Sequence, residues 1–217
     1  MPERLDDFLL HRKPTADRPL MGHTVLVVED SRFASEAMRL LCLRSGARVR
    51  RADSLHSANR HLTTYRPSVL VVDLGLPDGS GLTLIRDLAT ASDRIPVILA
   101  TSGDDGAAEA AVLDRLPRDR HPAGPRAVSK DHVIPDIIAL QDDLARMSRV
   151  IAGGVDADTT DYIAQFTAGI ARAARDKPLE EAALALGHAR STGKETGRAI
   201  GQLAGLIEAR LERRAVV

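Results

Sequence analysis

At 217 residues the chain can hold one domain of ordinary size and a smaller second unit, and its 44% hydrophobic, 28% charged composition argues against disorder. Lys+Arg and Asp+Glu both number 30, so no whole-chain charge attracts nucleic acid or an anionic membrane. Cys42 is the single cysteine, which excludes a disulfide framework and a thiolate metal site and fits a reducing, cytoplasmic setting.

Residues 1–22 carry charge throughout and lack an apolar h-region, which predicts a mobile leader and not a secretory signal. No apolar run approaches the roughly 18 residues of a membrane span. From 23 onward, apolar runs alternate with stretches of helical period. Residues 25–28 predict a short buried strand ending in Glu29-Asp30. Ser31 is positioned to cap a helix carrying Ala34, Ala37, Met38 and Leu41 on one face, closed by Gly46. Residues 47–51 alternate as an edge strand does, and 54–65 predict a second helix.

Residues 69–72 form a third apolar run, reading directly into Asp73 and the turn Leu74-Gly75-Leu76-Pro77-Asp78-Gly79. Such a run predicts a strand buried on both faces, with Asp73 at its carboxyl end, where open α/β sheets place their chemistry. By itself a strand-ending Asp such as Asp73 is more often a cap or turn residue, and its neighbours decide whether it acts as nucleophile, ligand or strand terminator. A helix over 81–90, a strand over 95–100, a helix over 104–116, an irregular segment over 117–125, a short strand over 127–129 and a fifth helix over 134–147 complete the alternation. The expected fold class is α/β: a (βα)5 doubly wound, flavodoxin-like parallel sheet, followed by a small all-α C-terminal unit.

A parallel sheet puts every carboxyl strand end on one edge. Glu29 and Asp30, then Asp73, Thr101 and Lys130 therefore converge although about 100 residues separate them. Three clustered carboxylates call for a hard cation, and oxygen donors with open positions suit Mg²⁺. A carboxylate beside Mg²⁺, with an ammonium and a hydroxyl near it, is equipped to take a phosphoryl group in line.

Residues 23–147 resemble the receiver domain of two-component response regulators. The resemblance is carried by Val27-Val28-Glu29-Asp30, Val71-Val72-Asp73-Leu74-Gly75-Leu76-Pro77-Asp78-Gly79, Leu99-Ala100-Thr101-Ser102-Gly103 and Ser129-Lys130. It implies Asp73 as the phosphoacceptor and Asp30 as a direct Mg²⁺ ligand, with Glu29 beside it or in a second layer around the metal. Gly75 would give the ion its backbone carbonyl, Lys130 would pair with the phosphate and Thr101 would report its arrival. A sensor histidine kinase or a phosphotransfer protein is the implied donor, and the chemistry is a signalling half-reaction, not a conventional enzyme's turnover. Two positions depart from the family: Asp131 follows Lys130 where receivers usually have proline, and Ala127 replaces the switch aromatic. The acceptor chemistry is expected to be intact and the usual readout altered.

Gly153-Gly154, with Asp156 and Asp158, marks a linker over 148–158. Beyond it, residues 159–217 predict only helices, at about 159–175, 179–190 and 194–214. Three functions fit this unit. An apolar stripe of Ile200, Leu203, Ala204, Ile207 and Leu211 must be buried, which makes a partner-docking or homodimerising module the leading expectation. His188, in a helix followed by another helix, loosely resembles a degenerate histidine-phosphotransfer module, although Ser191 and Thr192 stand where that motif has lysine and glycine. A degenerate helix-turn-helix also overlays the segment. Gly193, Gly197 and Gly201 suit a recognition helix poorly, and from residue 157 on nine Lys/Arg face eight Asp/Glu, a net of +1 that is a weak footprint for DNA.

Overall fold

The computed structural model describes residues 15, 17–91, 95, 97–101 and 136–212. In the first part of the chain, β1 (Thr24–Val28), α1 (Arg32–Arg44), β2 (Arg48–Ala52), α2 (Leu55–Thr64) and β3 (Val69–Asp73) alternate. A small antiparallel ribbon, β4 (Gly75–Leu76) with β5 (Gly79–Ser80), leads into α3 (Gly81–Thr90), and β6 (Val97–Thr101) follows. The four long strands form one parallel sheet in the order β2-β1-β3-β6. The expected elements over 104–116, 117–125 and 127–129, together with Lys130, Asp131 and Ala127, lie outside the described residues.

Side chains alternate across the sheet because successive Cβ atoms point to opposite faces. Leu26, Val28, Leu70 and Val72 pack on one face with Ala58 of α2 and Leu84, Ile85 and Leu88 of α3. Val25, Val27 and Val71 fill the other face, where Met38 and Cys42 of α1 lie against them. The edge strand β2 buries only Ala52 fully, as its Arg-rich sequence requires. Local chemistry starts the helices where the sequence places them: Ser31, Ser54 and Ser80 each accept a backbone N–H of the first turn.

Four helices complete the described chain: α4 (Ile137–Ala152), α5 (Ala157–Ala174), α6 (Lys177–Ser191) and α7 (Gly197–Glu212). The fifth helix, expected to end at 147, runs five residues further because Met147, Val150 and Ile151 pack into the helical core with Ile163, Ile170, Leu179, Leu186, Leu203 and Ile207. Only residues 153–156 separate it from α5. One helix thus serves both regions, packing on α1 as well as on α5 and α7. The stripe on α7 finds its burial within the chain, with Leu203 and Ile207 fully enclosed, while Gly201 and Gly205 face open space. No helix among the described residues is long and apolar enough to cross a membrane.

Candidate functional site

β1 and β3 are neighbours in register, Val28 pairing with Val72, so Glu29 and Asp30 leave the sheet beside Asp73. One carboxylate oxygen from each of Glu29, Asp30 and Asp73 lies within 4.8 Å of the others. On the far side of β3, Asp73 pairs with Thr101 at the end of β6. Four of the expected site positions therefore share one sheet edge, and Gly75 follows immediately in β4.

The loop beyond Asp73 is held by two features. Asp78 accepts the backbone N–H groups of Leu55 (2.8 Å) and His56 (2.9 Å), tying the turn to the start of α2. Gly81 must be glycine because an added Cβ would lie 2.2 Å from the Asp73 carbonyl oxygen. That absence of a side chain lets the start of α3 close against the strand end, and Gly81 N–H donates to the Leu74 carbonyl.

Burial dominates the electrostatics. Desolvation, then the charge of Asp73, pushes the Glu29 carboxyl well above its usual range, while the Ser31 backbone N–H opposes the shift. Desolvation likewise raises Asp73, opposed by the backbone N–H groups of Gly75 and Leu74. Asp30 is pushed up to about 6 by desolvation, although the Tyr162 hydroxyl and Arg146 guanidinium favour its charged form. Crowded carboxylates with raised proton affinity are what a divalent cation relieves. The donor set fits such an ion on a second ground: Asp30 Oδ1 is buried and has no hydrogen-bond partner among the described residues.

The site has a wall that the sequence reading did not anticipate. Tyr162 of α5 donates its hydroxyl to Asp30 Oδ2 at 2.6 Å, and Arg146 of α4 reaches the same oxygen at 3.2 Å. The guanidinium lies over the rings of Tyr162 and Phe166, 5.8 and 5.3 Å from their centroids. Burial and the Asp30 charge hold the Tyr162 hydroxyl protonated far above its ordinary range. Next to this contact, the buried Asp143 of α4 accepts Ser31 Oγ (2.7 Å), Phe33 N–H (3.0 Å) and Arg32 N–H (3.1 Å), a second cap on α1 supplied from across the seam. Gln165 of α5 lies directly over Gly75. A cavity of about 290 Å³ separates the two regions, with Glu29, Asp73 and Gly75 on one side and Gln165, Phe166 and Gly169 on the other.

One signal for this wall was available. Asp143 falls on the Leu140, Leu144, Met147 stripe, and a carboxylate on a core-facing stripe needs a buried partner. Tyr162 and Arg146 carried no comparable signal, being 132 and 116 residues from Asp30. His188 is exposed near the end of α6 and lines neither this cavity nor the carboxylate group.

Comparison with known proteins finds similarity over the sheet region of the chain. Residues 25–115 match the family described as response regulator receiver domain. The KDP operon transcriptional regulatory protein KdpE of Escherichia coli is 36% identical over 90 residues, which are 42% of this chain and 40% of that protein. The virulence transcriptional regulatory protein PhoP of Salmonella typhimurium is 30% identical over 131 residues, 60% of this chain and 55% of that one. The chain thus spans about half the length of these curated relatives. Among solved structures, the signal receiver domain of a signal transduction histidine kinase from Syntrophus aciditrophicus is 29% identical, covers 42% of this chain and 71% of its own, and superposes with a TM-score of 0.38. Residues 25–115 of this chain are thus similar in sequence to the response regulator receiver domains.

Proposed function

We propose that the chain is a response regulator that accepts a phosphoryl group on Asp73, with Mg²⁺ held by Asp30, Asp73 and the Gly75 carbonyl and Glu29 close behind. The observation that carries this reading is the convergence of the Glu29, Asp30 and Asp73 oxygens within 4.8 Å at the carboxyl edge of a parallel sheet. The cation would offset negative charge on the transferring oxygens. Asp73 is the nucleophile: an ionised carboxylate oxygen bonds to phosphorus as the bond to the donor breaks and the donor keeps the electron pair, giving an acyl phosphate. Glu29 and Asp30 crowd Asp73 and so draw the ion to it. Thr101, whose backbone is in register with Asp73 across β3 and β6, is assigned to sense the phosphoryl group, and Lys130 to pair with it.

The donor in this reading is a histidine kinase or phosphotransfer protein of the cytoplasm. The helical unit, α4 to α7, is the output element, and we divide the chain inside α4, whose later residues belong to the helical core. Because the α7 stripe is consumed within the chain, self-association or partner docking would use the opposite face, where Gly201 and Gly205 are open. The relatives KdpE and PhoP are named transcriptional regulators. A DNA-binding role for α6 and α7 is therefore the second reading, and salt-dependent binding to promoter DNA would favour it over self-association.

Incubation with acetyl phosphate and Mg²⁺, followed by intact mass spectrometry, tests the acceptor assignment. One hydroxylamine-labile phosphoryl group per chain is expected in the wild type and none in Asp73→Asn. Incorporation that survives the substitution, or none in the wild type, contradicts the assignment.

A further inference from the structure

We propose that α4 and α5 form a built-in cover over the acidic pocket, so that phosphoryl transfer to Asp73 requires α5 to move off Gly75 and α1. The inference rests on Asp73 being the acceptor and adds how access to it is governed.

Three contacts make the cover. Tyr162 and Arg146 both bind Asp30 Oδ2, leaving Oδ1 of that carboxylate without a partner among the described residues. Arg146 adds a positive charge 3.2 Å from Oδ2 of Asp30, a member of the carboxylate cluster, so it competes with any cation drawn there. Gln165 sits over Gly75, whose carbonyl the proposed metal site uses. The cavity that reaches Asp73 is walled by Gln165, Phe166, Gly169 and Ile170, all on α5. Asp143, capping α1 through Ser31, Arg32 and Phe33, anchors the base of the cover on α4. A donor must bring its phosphorus to roughly 3–3.5 Å from the Asp73 oxygen, in line with the leaving group, and α5 walls the cavity that borders that oxygen.

The seam suits such a device because the contacts that α5 makes with Asp30 and Gly75 are polar, through Tyr162 and Gln165. Arg146 is about one-third exposed, and Tyr162 and Gln165 are also reached from the surface side, so water can satisfy these groups when α5 lifts. The closed and open arrangements then differ chiefly by the charge-assisted hydrogen bond from Tyr162 of α5 to Asp30, a gap that a ligand at Asp73 can overcome through differential binding.

The geometry supplies its own test. A Cβ at Gly75 would lie 3.6 Å from that of Gln165, within the span of a disulfide. In a Cys42→Ala background, the Gly75→Cys/Gln165→Cys chain is oxidised to lock α5 down or reduced to free it. Oxidised protein is expected to label with acetyl phosphate and Mg²⁺ at least about tenfold more slowly than the same protein reduced. By reciprocity, beryllofluoride with Mg²⁺ is expected to slow formation of the disulfide in the reduced chain, a readout that needs no turnover. Equal labelling in both states, or a disulfide that forms equally fast with and without beryllofluoride, overturns the cover. Arg146→Met provides a second, cysteine-free arm: faster labelling is expected, and unchanged or slower labelling overturns the proposal. Absence of labelling in every form, wild type included, would instead remove the acceptor reading and this one with it.

Discussion

The sheet region and the helical region place charge in opposite ways. The sheet buries apolar strands and gathers its carboxylates at one edge, where Glu29 and Asp30 are almost fully enclosed. The helical region keeps its centre apolar and turns Asp143, Arg146 and Tyr162 outward, onto that same edge. The difference teaches that the two regions share one electrostatic site. Each supplies what the other lacks, and α4 belongs to both.

The largest effect is expected from the shared helix. Met147 is fully buried in the helical core, and Met147→Ala should cost about 2–5 kcal/mol in urea denaturation through lost transfer energy and a residual cavity. If α4 couples the regions, far-UV circular dichroism follows a single shifted transition. Two separated transitions would show that the regions are independent. Asp143→Ala comes next, at about 2–3 kcal/mol, because it strips charge-assisted acceptors from three donors at the start of α1. A loss confined to α4–α7 would break the comparison.

pH gives a smaller, signed effect. The Asp30 carboxyl is raised from 3.8 to about 6, so the folded chain binds this proton more tightly than the unfolded chain does. In metal-free protein its contribution to stability is therefore expected to fall as pH rises from 3.8 through about 6, and then to level off. Mg²⁺ requires the ionised carboxylate, so the rise in melting temperature it confers should be present near neutrality and fade as pH drops through about 6. A Mg²⁺ effect that is independent of pH would contradict the role of Asp30. The smallest change is expected from Arg32→Ala. This exposed residue pairs with Asp142 at 2.6 Å, and its loss should cost less than about 1 kcal/mol by thermal melt.

Legibility in the sequence followed the range of the interaction. Local signals were readable: Ser31 caps a helix, the 69–72 run becomes β3, and the Arg-rich alternation after Ala47 becomes the edge strand. The acidic edge was readable as well, because parallel topology brings strand ends together whatever their separation. What escaped depended on how helices dock. Periodicity showed that α7 needed a partner for Leu203 and Ile207 but not that the partner was in the same chain. Neighbouring acids Asp142 and Asp143 look alike in sequence, yet one is solvated and the other buried, since one helical step turns the side chain by about 100°. Gly81 could have been suspected, being a glycine at the first position of a predicted helix just after the Asp73 turn. Its reason, a carbonyl oxygen 2.2 Å from the missing Cβ, required the structure.

The account turns on the Glu29, Asp30 and Asp73 oxygens forming a divalent-cation site, and isothermal titration of the full chain with Mg²⁺ measures that directly. One saturable site per chain is expected in the wild type, with binding lost in both Asp30→Asn and Asp73→Asn. No saturable binding in the wild type, or equal binding in either variant, would contradict it.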